Sequence, residues 1–131
     1  MIVLAIRYID LDGELGLDGT FSSFVALGQL LRRGSGDMDL ATADDPYPYV
    51  GSLSRIIVRQ SNRKIVMRVV DGKDFEACGN MDSLRQLARN VENFAASAYG
   101  KDHLHVDYYP DHFYLDEESV SLVVRVDPAL E

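Results

Sequence analysis

The sequence predicts a single α+β domain over residues 1–131, with a mixed or mainly antiparallel sheet of about five strands and two helices on one face. Two stretches carry apolar residues at helical spacing, and five others alternate apolar with polar residues. A chain of 131 residues also fits one domain. The predicted order is β-α-β-β-(β)-α-β-β, and no internal repeat is visible in the sequence.

The first half of the chain predicts one strand, one helix and one long loop. Alternation from Ile2 to Tyr8 indicates a strand, and the Asp-Gly pairs that follow indicate turns. Thr20 is a suitable cap for a short amphipathic helix that Gly34 would end. Residues 35–50 show no period and predict a loop, which at this length in a compact domain usually has a function.

The second half predicts another helix and more strands. Asn80 opens a helix whose apolar stripe runs from Leu84 to Ala98, and Gly100 stands where a left-handed cap is expected. The predicted strands are Ser52–Gln60, Lys64–Asp71, a brief Phe75–Cys78, His103–Tyr109 and Ser119–Asp127.

Charge and composition restrict the function classes. The net charge of −8 opposes general nucleic-acid binding and favours a basic protein partner. No apolar run reaches the roughly 18 residues that a membrane helix needs, so we expect a protein without a membrane partner. The single Cys78 cannot form an internal disulfide, which favours a reduced compartment, the cytoplasm.

Metal chemistry would centre on His103, His105 and Asp107, which alternate on one side of a predicted strand. The spacing resembles the HxHxDH motif of metallo-β-lactamase-like hydrolases, but Tyr108 stands in place of the last histidine. The same alternation also describes the solvent-facing side of a sheet. We therefore predict no metal site, no cofactor and no catalytic residue, with a small metal-dependent or acid–base enzyme centred on this trio as the alternative.

Arginines are expected to share that open sheet face. If the apolar positions of each strand face the helices, several arginines lie beside the histidines and could form an alternative binding site or ion pairs with neighbouring acids. This sheet-face site comprises Arg55, Arg59, Arg68, His103, His105 and Asp107.

Two acidic segments that carry tyrosines are the preferred partner-binding site. The acidic loop, Asp37–Tyr49, and the acidic turn, Asp111–Glu118, are more charged than a connection requires, and tyrosines are enriched in protein interfaces. The expected contact residues are Asp44, Asp45, Tyr47, Tyr49, Asp111, Tyr114, Asp116, Glu117 and Glu118.

The C-terminal third, HLHVDYYPDHFYLDEESVSLVVRVDP, resembles the closing segment of small bacterial immunity proteins from polymorphic toxin systems. The residues that carry this resemblance are His103, His105, Asp107, Leu115, Ser119, Leu122, Val123 and Val124, after the helix Leu84–Ala98. The resemblance implies a non-catalytic inhibitor that neutralises a cognate toxin or another basic protein. The other alternative is a homo-oligomeric ligand-binding domain, such as a homodimer built on an exposed sheet edge.

Overall fold

A computed structural model describes residues 4–8, 14–42, 51–98 and 102–127, and it shows an α+β fold with two helices, as predicted. The helices are α1 (Phe21–Arg33) and α2 (Met81–Ser97). The strands are β1 (Leu4–Tyr8), β2 (Glu14–Gly19), β3 (Gly36–Asp39), β4 (Gly51–Ser52), β5 (Arg55–Gln60), β6 (Val66–Val70), β7 (Asp74–Gly79), β8 (His103–Val106) and β9 (Ser121–Val126).

The described strands form two mixed sheets instead of one. The first sheet has the order β4-β1-β2-β9-β8, and the second has the order β3-β5-β7-β6. Each sheet contains one parallel pair at its centre, β2 with β9 and β5 with β7, and its other pairs are antiparallel. Apolar residues of both sheets and both helices belong to a single core cluster.

The topology contains an internal repeat that the sequence does not show. Apart from the short β4, each half of the chain runs strand, strand, helix, strand, strand. The first two strands of one half pair with the last two of the other, so each sheet is built from both halves. The registers correspond: Glu14 lies opposite Ser121 in the first parallel pair, and Asp74 lies opposite Arg55 in the second.

Both helices begin at the caps that the sequence predicts. The side chain of Thr20 accepts a hydrogen bond from the Ser23 N–H, and that of Asn80 accepts one from the Ser83 N–H. Gly34 ends α1 with a φ of 77°, a left-handed conformation that favours glycine. The helices pack against each other, and across their contact Arg32 bonds Glu92 at 2.5 Å.

Three strands differ from the sequence prediction. Residues Glu14–Gly19, predicted as part of a turn, form a central strand whose Leu15 and Leu17 are buried. The predicted long loop contains β3, and the predicted brief strand at Phe75–Cys78 is the central strand β7. Ile2, residues 43–50 and Gly100 lie outside the described residues. Among those described, neither helix has the length and apolar character to cross a membrane.

Candidate functional site

The predicted arginine and histidine face is divided between the two sheets. Arg55, Arg59 and Arg68 lie on the second sheet, whereas His103 and His105 lie on β8 of the first. The single-face prediction was wrong because alternation shows which side of a strand a residue occupies but not which sheet the strand joins.

Each arginine of the second sheet is paired with a carboxylate. Arg55 contacts Asp37 at 3.1 Å and Asp74 at 3.2 Å. Arg59 and Arg68 both bind the buried Glu76, at 3.1 and 3.0 Å. This face therefore consists largely of internal ion pairs, the second of the two interpretations that the sequence left open.

The first sheet has an equivalent arrangement around Asp18. This carboxylate is 3% exposed and forms ion pairs with Arg7 on β1 and with Arg125 on β9. In both sheets, one arginine comes from the hairpin partner of the acidic strand and the other from its parallel neighbour. The repeat thus extends from the topology to buried charge.

The acidic turn is partly neutralised by Arg63, which lies in the connection between β5 and β6. Arg63 lies 2.9 Å from Asp116 and 3.7 Å from Glu118. The pKa of Asp116 lies below its usual value, because the backbone N–H of Glu118 and then the Arg63 side chain stabilise its charged form. Asp111 and Glu117 are exposed to solvent.

Tyr114 belongs to the core and not to the surface of the acidic turn. It is 7% exposed, and its hydroxyl accepts a hydrogen bond from the Asn90 amide on α2 at 3.1 Å. Burial raises the pKa of this tyrosine. Asp44, Asp45, Tyr47 and Tyr49 lie outside the described residues, so their part in a binding site stays a prediction.

His112 organises the segment that we call the aromatic turn, residues 107–114 between β8 and β9. Its side chain is buried, and Nδ1 accepts hydrogen bonds from the N–H groups of Tyr114 at 3.1 Å and Leu115 at 2.9 Å. Its ring also lies 4.5 Å from that of Tyr109 and 4.7 Å from that of Tyr114. The sequence did not predict this role, although a histidine between aromatic residues in a turn is a pattern that suits burial.

Apolar side chains project from the aromatic turn into solvent. Tyr108 is 37% exposed, Tyr109 58% and Phe113 76%. Beside them is an open groove of about 660 Å³ between the turn, β8 and α2. It is lined by Gln86, Asn90, Leu104, His105, Asp107, Tyr109, His112, Phe113 and Tyr114. Exposed aromatic residues next to a groove are typical of a surface that binds another molecule.

An acidic cluster lies at the edge of this groove. The potential ligand atoms of Glu14, His105 and Asp107 are all within 4.8 Å of one another, and His105 Nδ1 is 3.8 Å from Asp107 Oδ2. Glu14 on β2 is opposite Ser121 on β9. On the other side of β9, Val106 is opposite Leu122 in an antiparallel pair, so the next residue, Asp107, comes beside Ser121. Glu14 and Asp107 therefore flank the small side chain of Ser121. His103, which the sequence placed in the candidate trio, is replaced by Glu14 in this cluster.

We expect a His112→Ala substitution to destabilise the protein by about 1–3 kcal/mol, because two buried N–H groups lose their acceptor. Urea unfolding of this variant and of His105→Ala, whose side chain is exposed, measures the difference. Equal stability of the two variants would contradict the role assigned to His112.

The pH dependence gives the same prediction a second readout. Burial and then the charge of Lys64 lower the pKa of His112 below the ordinary value of 6.5. As the pH falls below 6.5, the unfolded chain takes up this proton before the folded one does. The contribution of His112 to stability is therefore fully present above that pH, and it is lost as the pH falls through the pKa of His112 in the folded protein. This part of the decline should be absent in His112→Ala.

One family of known proteins matches the part of the chain that forms this site. Residues 78–126 match the family model described as immunity protein 32, which confirms the resemblance of the C-terminal third to small immunity proteins. The matched segment contains α2, β8, the aromatic turn and β9. No curated protein and no solved structure matches the chain significantly.

Proposed function

We propose that this protein is a bacterial immunity protein that binds a cognate toxin domain and neutralises it without catalysing a reaction. The observation that carries the proposal is the match of residues 78–126 to an immunity-protein family. The matched residues include the groove and the exposed aromatic side chains described above.

Charge supports a basic toxin as the partner. The chain carries a net charge of −8, and the sequence from residue 99 onward has eight acids against two bases. A toxin that acts on nucleic acid would need a positively charged surface to bind its substrate. Electrostatic attraction can steer an acidic inhibitor to that surface, which the inhibitor then covers. We propose the cytoplasm as the compartment in which the two proteins meet.

The acidic segments predicted from the sequence would act mainly at the edge of such an interface. Asp111 and Glu117 are exposed, and Glu118 is partly compensated by Arg63. Charges at an interface rim raise the association rate at low salt more than they slow dissociation. We assign the same role to Asp44 and Asp45 of the acidic loop, with Tyr47 and Tyr49 as contact residues.

The experiment is coexpression with the C-terminal domain of the polymorphic toxin encoded beside the gene. We expect this protein to restore the growth of a bacterial host that expresses the toxin domain, and to copurify with it. Unrestored growth together with no complex in gel filtration would overturn the proposal. Restored growth without a complex would indicate an enzymatic mode of protection.

The Glu14, His105 and Asp107 cluster is the observation that favours the metal-dependent enzyme as a second candidate. Its three donors equal the number of protein ligands in a catalytic zinc site, but Glu14 and His105 are exposed, and exposed acidic groups are common without a metal. We therefore expect less than one transition-metal ion per chain in elemental analysis of freshly purified protein. One zinc or iron per chain, lost in His105→Ala, would favour the second candidate.

A further inference from the structure

Many carboxylates of the described residues already form ion pairs with arginines of the same chain. Asp18, Asp37, Asp74, Glu76, Glu92, Asp116 and Glu118 all form ion pairs with arginines. Glu14, Asp107 and Asp111, which lie around the aromatic turn, form no ion pair with a lysine or arginine of the described residues. Negative charge that no lysine or arginine of the described residues compensates is therefore present beside the groove.

The environment of Asp107 leaves one of its oxygens without an interaction. Oδ1 is buried and accepts no hydrogen bond from the described residues, while Oδ2 is next to His105. A buried carboxylate oxygen without a donor costs free energy. The Asp107 side chain as a whole is 45% exposed, so a partner can reach its carboxylate from the Oδ2 side.

Apolar surface is concentrated at the same place. Four large apolar side chains of the described residues are strongly exposed, and three of them, Tyr108, Tyr109 and Phe113, belong to the aromatic turn. The hydrogen bonds that the His112 ring accepts, and the one that its backbone N–H donates to the Tyr109 carbonyl, hold the backbone around Tyr109 and Phe113. A surface that is already ordered loses little conformational entropy when a partner binds.

We propose that Glu14, His105, Asp107, Tyr109 and Phe113 form an acidic–aromatic patch that receives an arginine or lysine side chain of the cognate toxin domain. The inference rests on the proposed function and specifies which surface performs it. The carboxylates of Glu14 and Asp107 pair with the incoming cation, and the aromatic rings cover its apolar or planar part.

The chemistry of the patch favours arginine over lysine. A guanidinium group is planar, so it can lie on the Tyr109 ring while its N–H groups donate to the carboxylates of Glu14 and Asp107. The groove beside Leu104, with a volume of about 660 Å³, has room for the aliphatic part of such a side chain. The toxin residue would thus be a basic side chain that projects from its surface.

The test measures binding of the toxin domain by interferometry for two double variants of this protein. Glu14→Gln/Asp107→Asn removes the charge at nearly constant shape, and Tyr109→Ala/Phe113→Ala removes the aromatic cover. Controls matched in chemistry are Asp82→Asn and Phe21→Ala, because Asp82 is exposed on α2 and Phe21 is 47% exposed on α1.

We expect each patch variant to raise the dissociation constant at least about tenfold, whereas each control changes it less than about twofold. The charge variant should also weaken the dependence of the association rate on salt. If a variant with weaker binding unfolds at the same temperature as the wild type, the weaker binding reflects a lost contact. If Tyr109→Ala/Phe113→Ala unfolds at a lower temperature, the single variant Tyr109→Ser is used in its place.

The outcomes separate the two proposals. If the wild type and the patch variants bind the toxin domain equally well, the patch is not the interface, and the immunity function stands. If the wild type does not bind or neutralise the toxin domain at all, the proposed function fails, and the patch proposal fails with it.

Discussion

Replacing Leu87 with alanine is expected to lower the free energy of unfolding by about 2–5 kcal/mol. Leu87 is 4% exposed on α2, and it belongs to the core cluster that joins both helices to both sheets. The shortened side chain would leave a cavity that the packed neighbours fill only in part. Val91→Ala, at a position 1% exposed one turn later, should cost less because a smaller group is removed.

Urea unfolding monitored by circular dichroism measures this loss. The control is Arg89→Ala, because Arg89 is exposed on the same helix and alanine has the higher helix propensity. A Leu87→Ala variant as stable as Arg89→Ala would mean that the buried face of α2 is assigned incorrectly.

The second large effect concerns the charges around Glu76. We expect Arg59→Ala/Arg68→Ala to destabilise the protein by about 3 kcal/mol, because the carboxylate that remains is buried and loses both cations. The Glu76→Gln variant should cost less. Its two arginine side chains, 63% and 61% exposed, can turn to solvent.

The measurable result is the difference in stability between the variant that lacks both arginines and the variant that lacks the carboxylate. Thermal unfolding of both variants gives it, with Arg85→Ala as the control, because Arg85 pairs at 3.6 Å with the 98% exposed side chain of Asp82. That surface pair should contribute less than about 1 kcal/mol. If Glu76→Gln were the more destabilised variant, the carboxylate would be stabilising and not merely compensated.

Local signals in the sequence predicted the helices and much of the strand content. Thr20 and Asn80 cap helices with continuous apolar stripes, and such features depend on neighbouring residues alone. β2 was missed because the pair Asp18-Gly19 within it is typical of a turn. In the structure their strand is central, and Arg7 and Arg125 compensate the buried Asp18.

The sequence indicates one chain segment of the candidate site, but not the residues that other parts of the chain bring to it. The histidine-rich C-terminal segment lines most of the groove together with Gln86 and Asn90 of α2, but Glu14 reaches its edge only through the pairing of β2 with β9. Such pairing depends on the whole fold, so sequence spacing cannot reveal it. His112 likewise acts by accepting hydrogen bonds from backbone N–H groups two and three residues away, which the spacing of side chains does not show.

The exchange of strands between the two halves determines when the first sheet can form. Glu14 pairs with Ser121, so the first sheet is incomplete until nearly all of the described chain has left the ribosome. Contacts between residues so distant in sequence also slow folding. A nascent chain that has reached only β7 contains all four strands of the second sheet, but it lacks β8 and β9 of the first sheet and the aromatic turn. Under the proposed immunity function, protection would therefore depend on finished molecules accumulated before the toxin arrives, and not on chains still being synthesised.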